Sequence, residues 1–275
     1  MGASAPENNS PPPQALQENP GFSFVVPTEF VELPSGGKYY PEGHPLRGQG
    51  TIEIKQMTAK EEDILTSRTL LKSGVAIDRV IQSIVMDKTI NTDTLLVGDR
   101  NAILIAARVS GYGNIYNTNV TCPNCSTAQD YSFDLNNAYL ENGGGTGFEV
   151  TNNGDGSFTT VLPRTNVTTT FRLLTGHDEK NMLQQAEMTK KRKGLEQAVS
   201  SQIRRMIVDL NGDSSQQALN YFIENVPSLD IRHLRACYRS VAPNIDLTQD
   251  FECQECGHEQ EMEVPLTADF FWPDR

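Results

Sequence analysis

Hydrophobic positions recur along the chain with two different periods. Thr51-Ile52-Glu53-Ile54-Lys55-Gln56-Met57 alternates apolar and polar side chains, which predicts a half-buried strand. Phe24-Val25-Val26 and Phe30-Val31-Glu32-Leu33 are also strand-like, and Pro34-Ser35-Gly36-Gly37 reads as the turn that follows. The period then changes. Thr58 and Glu61 have the spacing of a capping box, with Glu62 and Asp63 in the first turn of the helix it opens. Ile77, Val80, Ile81 and Ile84 share one face of a helix from about Ala76 to Met86. A further helix is predicted from about Asp99 to Val109, ending at Gly111-Tyr112-Gly113, where glycine suits a C-cap.

Beyond Gly143-Gly144-Gly145, Phe158 to Leu162 and Val167 to Leu173 alternate like two strands of a hairpin or meander. Asp178 to about Ser240 reads as a helical block with breaks at Gly194, Asn211-Gly212 and Pro227. Strand-like segments return at Asp246 to Glu252 and Gln260 to Leu266, before a tail Phe270-Phe271-Trp272-Pro273. The Pro-, Asn-, Gln- and Ser-rich start cannot bury enough apolar surface to offset its ordering entropy, so order is expected to begin near Phe22. This divides the chain into a flexible tail (1–22), an N-terminal α+β region (23–142), a β-hairpin and helical insertion (143–243) and a closing segment (244–275).

Charge narrows the function classes. Over 275 residues, 35 acidic side chains against 23 basic ones give a net charge of −12. Loose attraction to nucleic acid or anionic lipid needs clustered positive charge, so neither partner is expected. The run Lys190-Lys191-Arg192-Lys193 has no interleaved aromatic, lies between Glu187 and Glu196, and reads as a solvated face. No apolar run approaches the roughly 18 residues of a membrane helix, and the first twenty residues lack a signal peptide's apolar segment. A soluble chain made in a cytoplasm is expected.

The cysteines carry the strongest chemical signal. Four of the five form two C-x-x-C pairs, Cys122-Pro123-Asn124-Cys125 and Cys253-Gln254-Glu255-Cys256. Chance placement would give about 0.07 such pairs. Two intervening residues allow a tight turn that aims both sulfurs at one point, and two such turns complete the closed tetrahedron of a structural zinc site. Superposing Cys122 on Cys253 pairs Val120 with Phe251, Gln129 with Gln260, Tyr131 with Met262, Phe133 with Val264 and Leu135 with Leu266. Each pair thus reads as the tip of a β-hairpin, and the hairpins as pseudo-repeats that meet in space across a long insertion. Cytoplasmic disulfides are disfavoured, and a thioredoxin-like redox motif would need one pair in a βαβ context. His258 reads as a neighbour of the site, and Cys237 as a small buried hydrophobe. The expectation is an α+β fold with a discontinuous zinc-ribbon module, two β-hairpin knuckles and a helical insertion, with zinc on Cys122, Cys125, Cys253 and Cys256.

No P-loop, H-E-x-x-H, G-x-S-x-G or G-x-G-x-x-G occurs, and His44, His177, His233 and His258 share no spacing. A closed four-thiolate site leaves no position for substrate, so a non-enzymatic protein is expected. A zinc-ribbon nucleic-acid or transcription-associated binder is the alternative, but Asp130, Asp134, Glu252, Glu255, Glu259, Glu261 and Glu263 flank the knuckles where such a binder needs basic residues.

Leu33-Pro34-Ser35-Gly36-Gly37-Lys38-Tyr39-Tyr40, the Ile52/Ile54 strand and the Thr58–Asp63 helix start resemble the front of the base plate hub protein family of T-even-type contractile-tailed bacteriophages. Asp99-Arg100, Leu104 to Arg108, Gly111-Tyr112-Gly113, Tyr116, Cys122-Pro123-Asn124-Cys125 and the Phe270-Phe271-Trp272-Pro273 ending follow in similar order. The resemblance implies a structural or assembly component of the tail base plate hub. Its implied partners are other phage tail or base plate proteins, and its implied place is the virion tail, with the host cytoplasm during assembly. The aromatic ending reads either as cover for the chain's own core or as an anchor into a partner's groove.

Overall fold

The computed structural model describes residues 24–72, 74–143, 147–191, 198–264 and 268–271. The expected flexible tail, the side chains of Lys190 to Lys193, and Trp272-Pro273 lie outside the described residues. Strands β1 (Thr28–Glu32) and β2 (Thr51–Lys55) pair antiparallel, followed by helices α1 (Ala59–Thr66), α2 (Arg68–Lys72), α3 (Ala76–Ile84) and α4 (Val97–Tyr112). A hairpin of β3 (Ile115–Thr121) and β4 (Ala128–Asp134) leads to the short strand β5 (Tyr139–Glu141). Next come β6 (Thr151–Asn152), β7 (Ser157–Val161), β8 (Thr168–Arg172), α5 (Gly176–Lys191), α6 (Ala198–Met206) and β9 (Ile207–Leu210). Helices α7 (Gln216–Asn225) and α8 (Ser228–Val241) precede β10 (Asn244–Asp246) and a last hairpin, β11 (Thr248–Glu252) with β12 (Glu259–Glu263).

The architecture is α+β, with small antiparallel sheets and eight α-helices among the described residues. Two details depart from the sequence reading. Phe24-Val25-Val26 forms no strand: β1 starts at Thr28 because its partner β2 ends at Lys55, directly opposite. The block read as helical contains β9, which adds to β8 and completes a four-stranded sheet in the order β6-β7-β8-β9. Ile207 and Leu210 of β9 bury their side chains, so the strand is held by long-range pairing that no local break announces.

Packing follows the predicted faces. Val80, Ile81 and Ile84 of α3 are fully buried, and one hydrophobic cluster runs from Val31 through α4 to Phe158, Phe171, Leu234 and Phe271. Helix α4 is central. Asp99 in its first turn is buried and accepts from Ser35 N–H (2.9 Å), Ser35 Oγ (2.6 Å) and Tyr40 Oη (2.7 Å). The turn that presents these donors depends on Gly37, whose φ is +71° and where a Cβ would lie 2.4 Å from the Leu46 carbonyl oxygen. Burial raises the Asp99 pKa, against the lowering by the Ser35 and Tyr40 hydrogen bonds. Nearer the other end, the buried Arg108 donates to the carbonyls of Phe270 (2.6 Å), Gly113 (2.6 Å) and Ile115 (3.2 Å), a cation where the helix dipole favours one. Phe270 in turn packs edge-on against Tyr116, with ring centroids 5.2 Å apart. Phe270 and Phe271 therefore cover the chain's own core.

At the capping box, Glu61 Oε2 accepts from Thr58 N–H at 2.9 Å. The same carboxylate takes Lys55 Nζ at 2.8 Å and Ser83 Oγ at 2.5 Å, tying α1 to β2 and α3. Burial pushes the Glu61 pKa up, but the hydrogen bonds from Lys55, Ser83 and Thr58 outweigh it and hold the carboxyl at about 2. A carboxylate depressed in the folded state stabilises the fold above its unfolded pKa, and that contribution is lost as pH falls towards the folded value. Glu61→Gln should therefore cost roughly 2 kcal/mol at neutral pH. In thermal melts across pH, the deficit should stay constant above about pH 4.5 and vanish towards about pH 2.

Candidate metal centre

The two hairpins build the site together. β3–β4 presents Cys122 and Cys125 at its tip, and β11–β12 presents Cys253 and Cys256. Each tip closes in the same way. Cys122 N–H donates to the Thr127 carbonyl at 2.9 Å, and Cys253 N–H to the His258 carbonyl at 2.9 Å. Ser126 N–H donates to the Cys122 carbonyl at 2.9 Å, as Gly257 N–H does to the Cys253 carbonyl at 2.9 Å. Ser126 and Gly257 occupy equivalent positions and share the left-handed backbone region, with φ of 60° and 66°. The pseudo-repeat extends down the strands: Val120 and Phe251 are both buried, as are Phe133 and Val264, while Tyr131 and Met262 are both half-buried. Leu266, the expected partner of Leu135, lies outside the described residues.

The hairpins lie against one another through side chains at successive levels. Gln249 spans the gap, accepting from Asp134 N–H at 3.2 Å and donating to the Asp134 carbonyl at 2.8 Å. Tyr131 Oη donates to the Asp250 carbonyl at 3.0 Å, and the Tyr131 and Phe251 rings sit 5.1 Å apart. Gln129 Oε1 accepts from Gln254 N–H at 3.1 Å, next to the cysteines. At the base, β5 and β10 pair in register Leu140 to Ile245, joining the chain on either side of the long intervening segment.

The four sulfurs all lie within 4.8 Å of one another, a group that could hold a metal ion. Cys122 Sγ is 3.9 Å from Cys256 Sγ, and Cys125 Sγ is 3.7 Å from Cys253 Sγ. A tetrahedron with metal–sulfur bonds of about 2.3 Å has edges of about 3.8 Å, so the donor set fits. Disulfides, at about 2.05 Å, are not formed. The thiols differ in how readily they ionise. The Thr127 hydroxyl and N–H hold the Cys125 thiol down at about 6. The Cys256 N–H lowers Cys253, but burial and the neighbouring sulfurs of Cys122 and Cys256 push it up to about 11. His258 does not join the cluster; its Nε2 lies 3.3 Å from Gln260 Oε1. Cys237 is buried beside Thr160 and His233, away from the other four.

Sequence reasoning paired Gln129 with Gln260 without assigning either a task. Gln129 braces the second knuckle, and its place in the repeat, seven residues after Cys122, was the available signal. The clamp of Ser35 and Tyr40 on Asp99 was also missed, although all three residues belong to the motifs that carry the resemblance.

The fold and the site define an α+β protein in which two β-hairpins remote in sequence face one another across four clustered cysteines. Residues 26–156 match the family model of the T4 bacteriophage base plate protein, so the resemblance to T4-type base plate proteins holds over that stretch. The matched residues include Ser35, Tyr40, Asp99, Arg108 and the first cysteine pair; the second pair lies beyond them. Comparison with curated proteins and with solved structures gave no match. Among the described residues, no helix is long and apolar enough to cross a membrane.

Three outcomes are expected. Purified protein should carry one metal ion per chain by elemental analysis; a chelator, or Ser in place of any one of the four cysteines, should lower its melting temperature. Ser126→Gly should raise stability by up to about 1 kcal/mol, a gain of roughly 2–4 °C, because glycine adopts the left-handed conformation without steric cost.

Proposed function

We propose that the protein is a non-enzymatic structural or assembly component of a phage tail base plate hub, acting through contacts with other tail proteins. The observation that carries this reading is the match of residues 26–156 to the base plate family. The reading gains support from what the matched motifs do. Ser35, Tyr40, Asp99 and Arg108 are engaged in internal hydrogen bonds that fix the core. Zinc on Cys122, Cys125, Cys253 and Cys256 fits this role. A closed set of four thiolates has no vacant position for substrate, and the free energy of binding the metal is free energy of folding. On this reading the ribbon is made by residues 119–135 and 246–266, carried by the N-terminal α+β region (23–142) and the closing segment (244–275), with the insertion at 143–243 between them. The acidic flanks of both knuckles disfavour the nucleic-acid alternative.

The test is quantitative mass spectrometry of purified virions and of tail-assembly intermediates. A fixed ratio to known tail proteins in virions supports a permanent base plate component. Presence in the intermediates alone supports an assembly factor that leaves before maturation. Absence from both overturns the proposal.

A further inference from the structure

Two surfaces of opposite sign lie on different parts of the fold, and most of their charged groups form no ion pair among the described residues. The first is a groove of about 570 Å³ beside α1 and α3, lined by Lys55, Lys60, Arg79 and Lys88, with Ile64 and Met86 among its apolar walls. No carboxylate lines it. Lys55 is engaged by Glu61 and Lys88 donates to the carbonyls of Gln82, Ser83 and Val85, but among the described residues Lys60, Arg79 and Lys88 form no ion pair, so Lys60 and Arg79 are the cations left to a partner. Such a cluster is unexpected in a chain of net charge −12.

The second surface is the outer face of the β11–β12 hairpin. The register places Glu252 directly opposite Glu259 and Asp250 directly opposite Glu261, with Glu263 continuing the row. These five carboxylates are exposed, and among the described residues none has an ion-pair partner. Like charges directly across a pair of strands destabilise it, so the hairpin bears a cost that a cationic partner would remove. The other face of the hairpin, through Gln249 and Phe251, is already occupied by β4.

We propose that the groove beside α1 and α3 receives the acidic face of the β11–β12 hairpin from a second copy of this chain. Charge complementarity selects that occupant. The row of carboxylates on a rigid hairpin matches a cationic rim, and the apolar walls at Ile64 and Met86 reward exclusion of water. No aromatic lines the groove for stacking of bases. Each copy contributes a different patch, so the contact is head-to-tail, and its repetition closes a ring or extends a filament. The inference rests on the two surfaces and is independent of the phage reading.

Sedimentation velocity of the full-length, metal-loaded protein tests it. Self-association should appear at about 0.01 M salt and disperse by about 1 M, as the screening length falls from about 30 Å to about 3 Å. Lys60→Glu with Arg79→Glu, and separately Glu259→Lys with Glu261→Lys, should each weaken association at least about tenfold. Mixing the two variants should restore it, because each then offers the surface the other lacks. The hairpin reversal creates favourable cross-strand pairs with Glu252 and Asp250, so its loss of association would not be a loss of folding. Should the groove reversal disturb folding, Lys60→Gln with Arg79→Gln replaces it and should weaken association in the same direction. A monomer at low salt, association indifferent to either change, or failure of the mixture to recover overturns the proposal.

Discussion

Three helices begin with the same device, an aspartate at the third position that turns inward instead of towards solvent. Asp99 in α4, Asp178 in α5 and Asp230 in α8 are all buried. Each accepts backbone N–H groups: Asp99 from Ser35, Asp178 from Thr175, and Asp230 from Arg164 and Thr165. A buried carboxylate is costly unless its oxygens are satisfied, and here the helix N-terminus and the donated N–H groups satisfy them. For Asp99 and Asp230 the donors lie 64 and 66 residues away, so the side chain fixes how a distant loop meets the helix. Arg172 reinforces Asp178 with two hydrogen bonds, and it and the Thr175 donors outweigh burial to keep that carboxyl below its ordinary range. The core can then close around loops whose position is already set.

The cysteine module depends on that core. Its hairpins are two-stranded, and such hairpins are marginal in water on their own. The first grows directly from the C-terminal end of α4, and Arg108 binds the carbonyls at that junction. The second is delivered by α8 and by the pairing of β10 with β5. Gln249, Tyr131 and Gln129 then set the depth at which the tips meet. The sulfurs are thereby brought together by the protein, and a metal would lock an arrangement that the scaffold has largely prepared.

Local chemistry was legible in the sequence wherever a short segment decides its own structure. The capping box at Thr58 and Glu61, the apolar face of α3 and the hairpin of β7 and β8 all appear as read. The cysteine group was legible for a different reason, since its two halves repeat one another and a repeat can be aligned. Long-range partners left no such mark. β9 follows α6 without an intervening break, and only its pairing with β8 makes Ile207 to Leu210 a strand. The three-residue strands β5 and β10 are too short to show a period. Asp99 could be seen beginning a helix, yet nothing near it in the chain pointed to Ser35 or Tyr40.

The separation of the two knuckles also has a temporal side. Cys125 and Cys253 are 128 residues apart, so during synthesis the first pair of thiols is made long before the second. Joining the ends of so long an unfolded loop costs about 5 kcal/mol in chain entropy, which an organised interior would already have met by the time the last hairpin emerges. A polypeptide interrupted before Cys253 would hold only two of the four clustered thiols and would bind a metal poorly there. A metal held by all four thiols would close its site only once β11–β12 has docked on β3–β4, so its capture would report the folding of both halves.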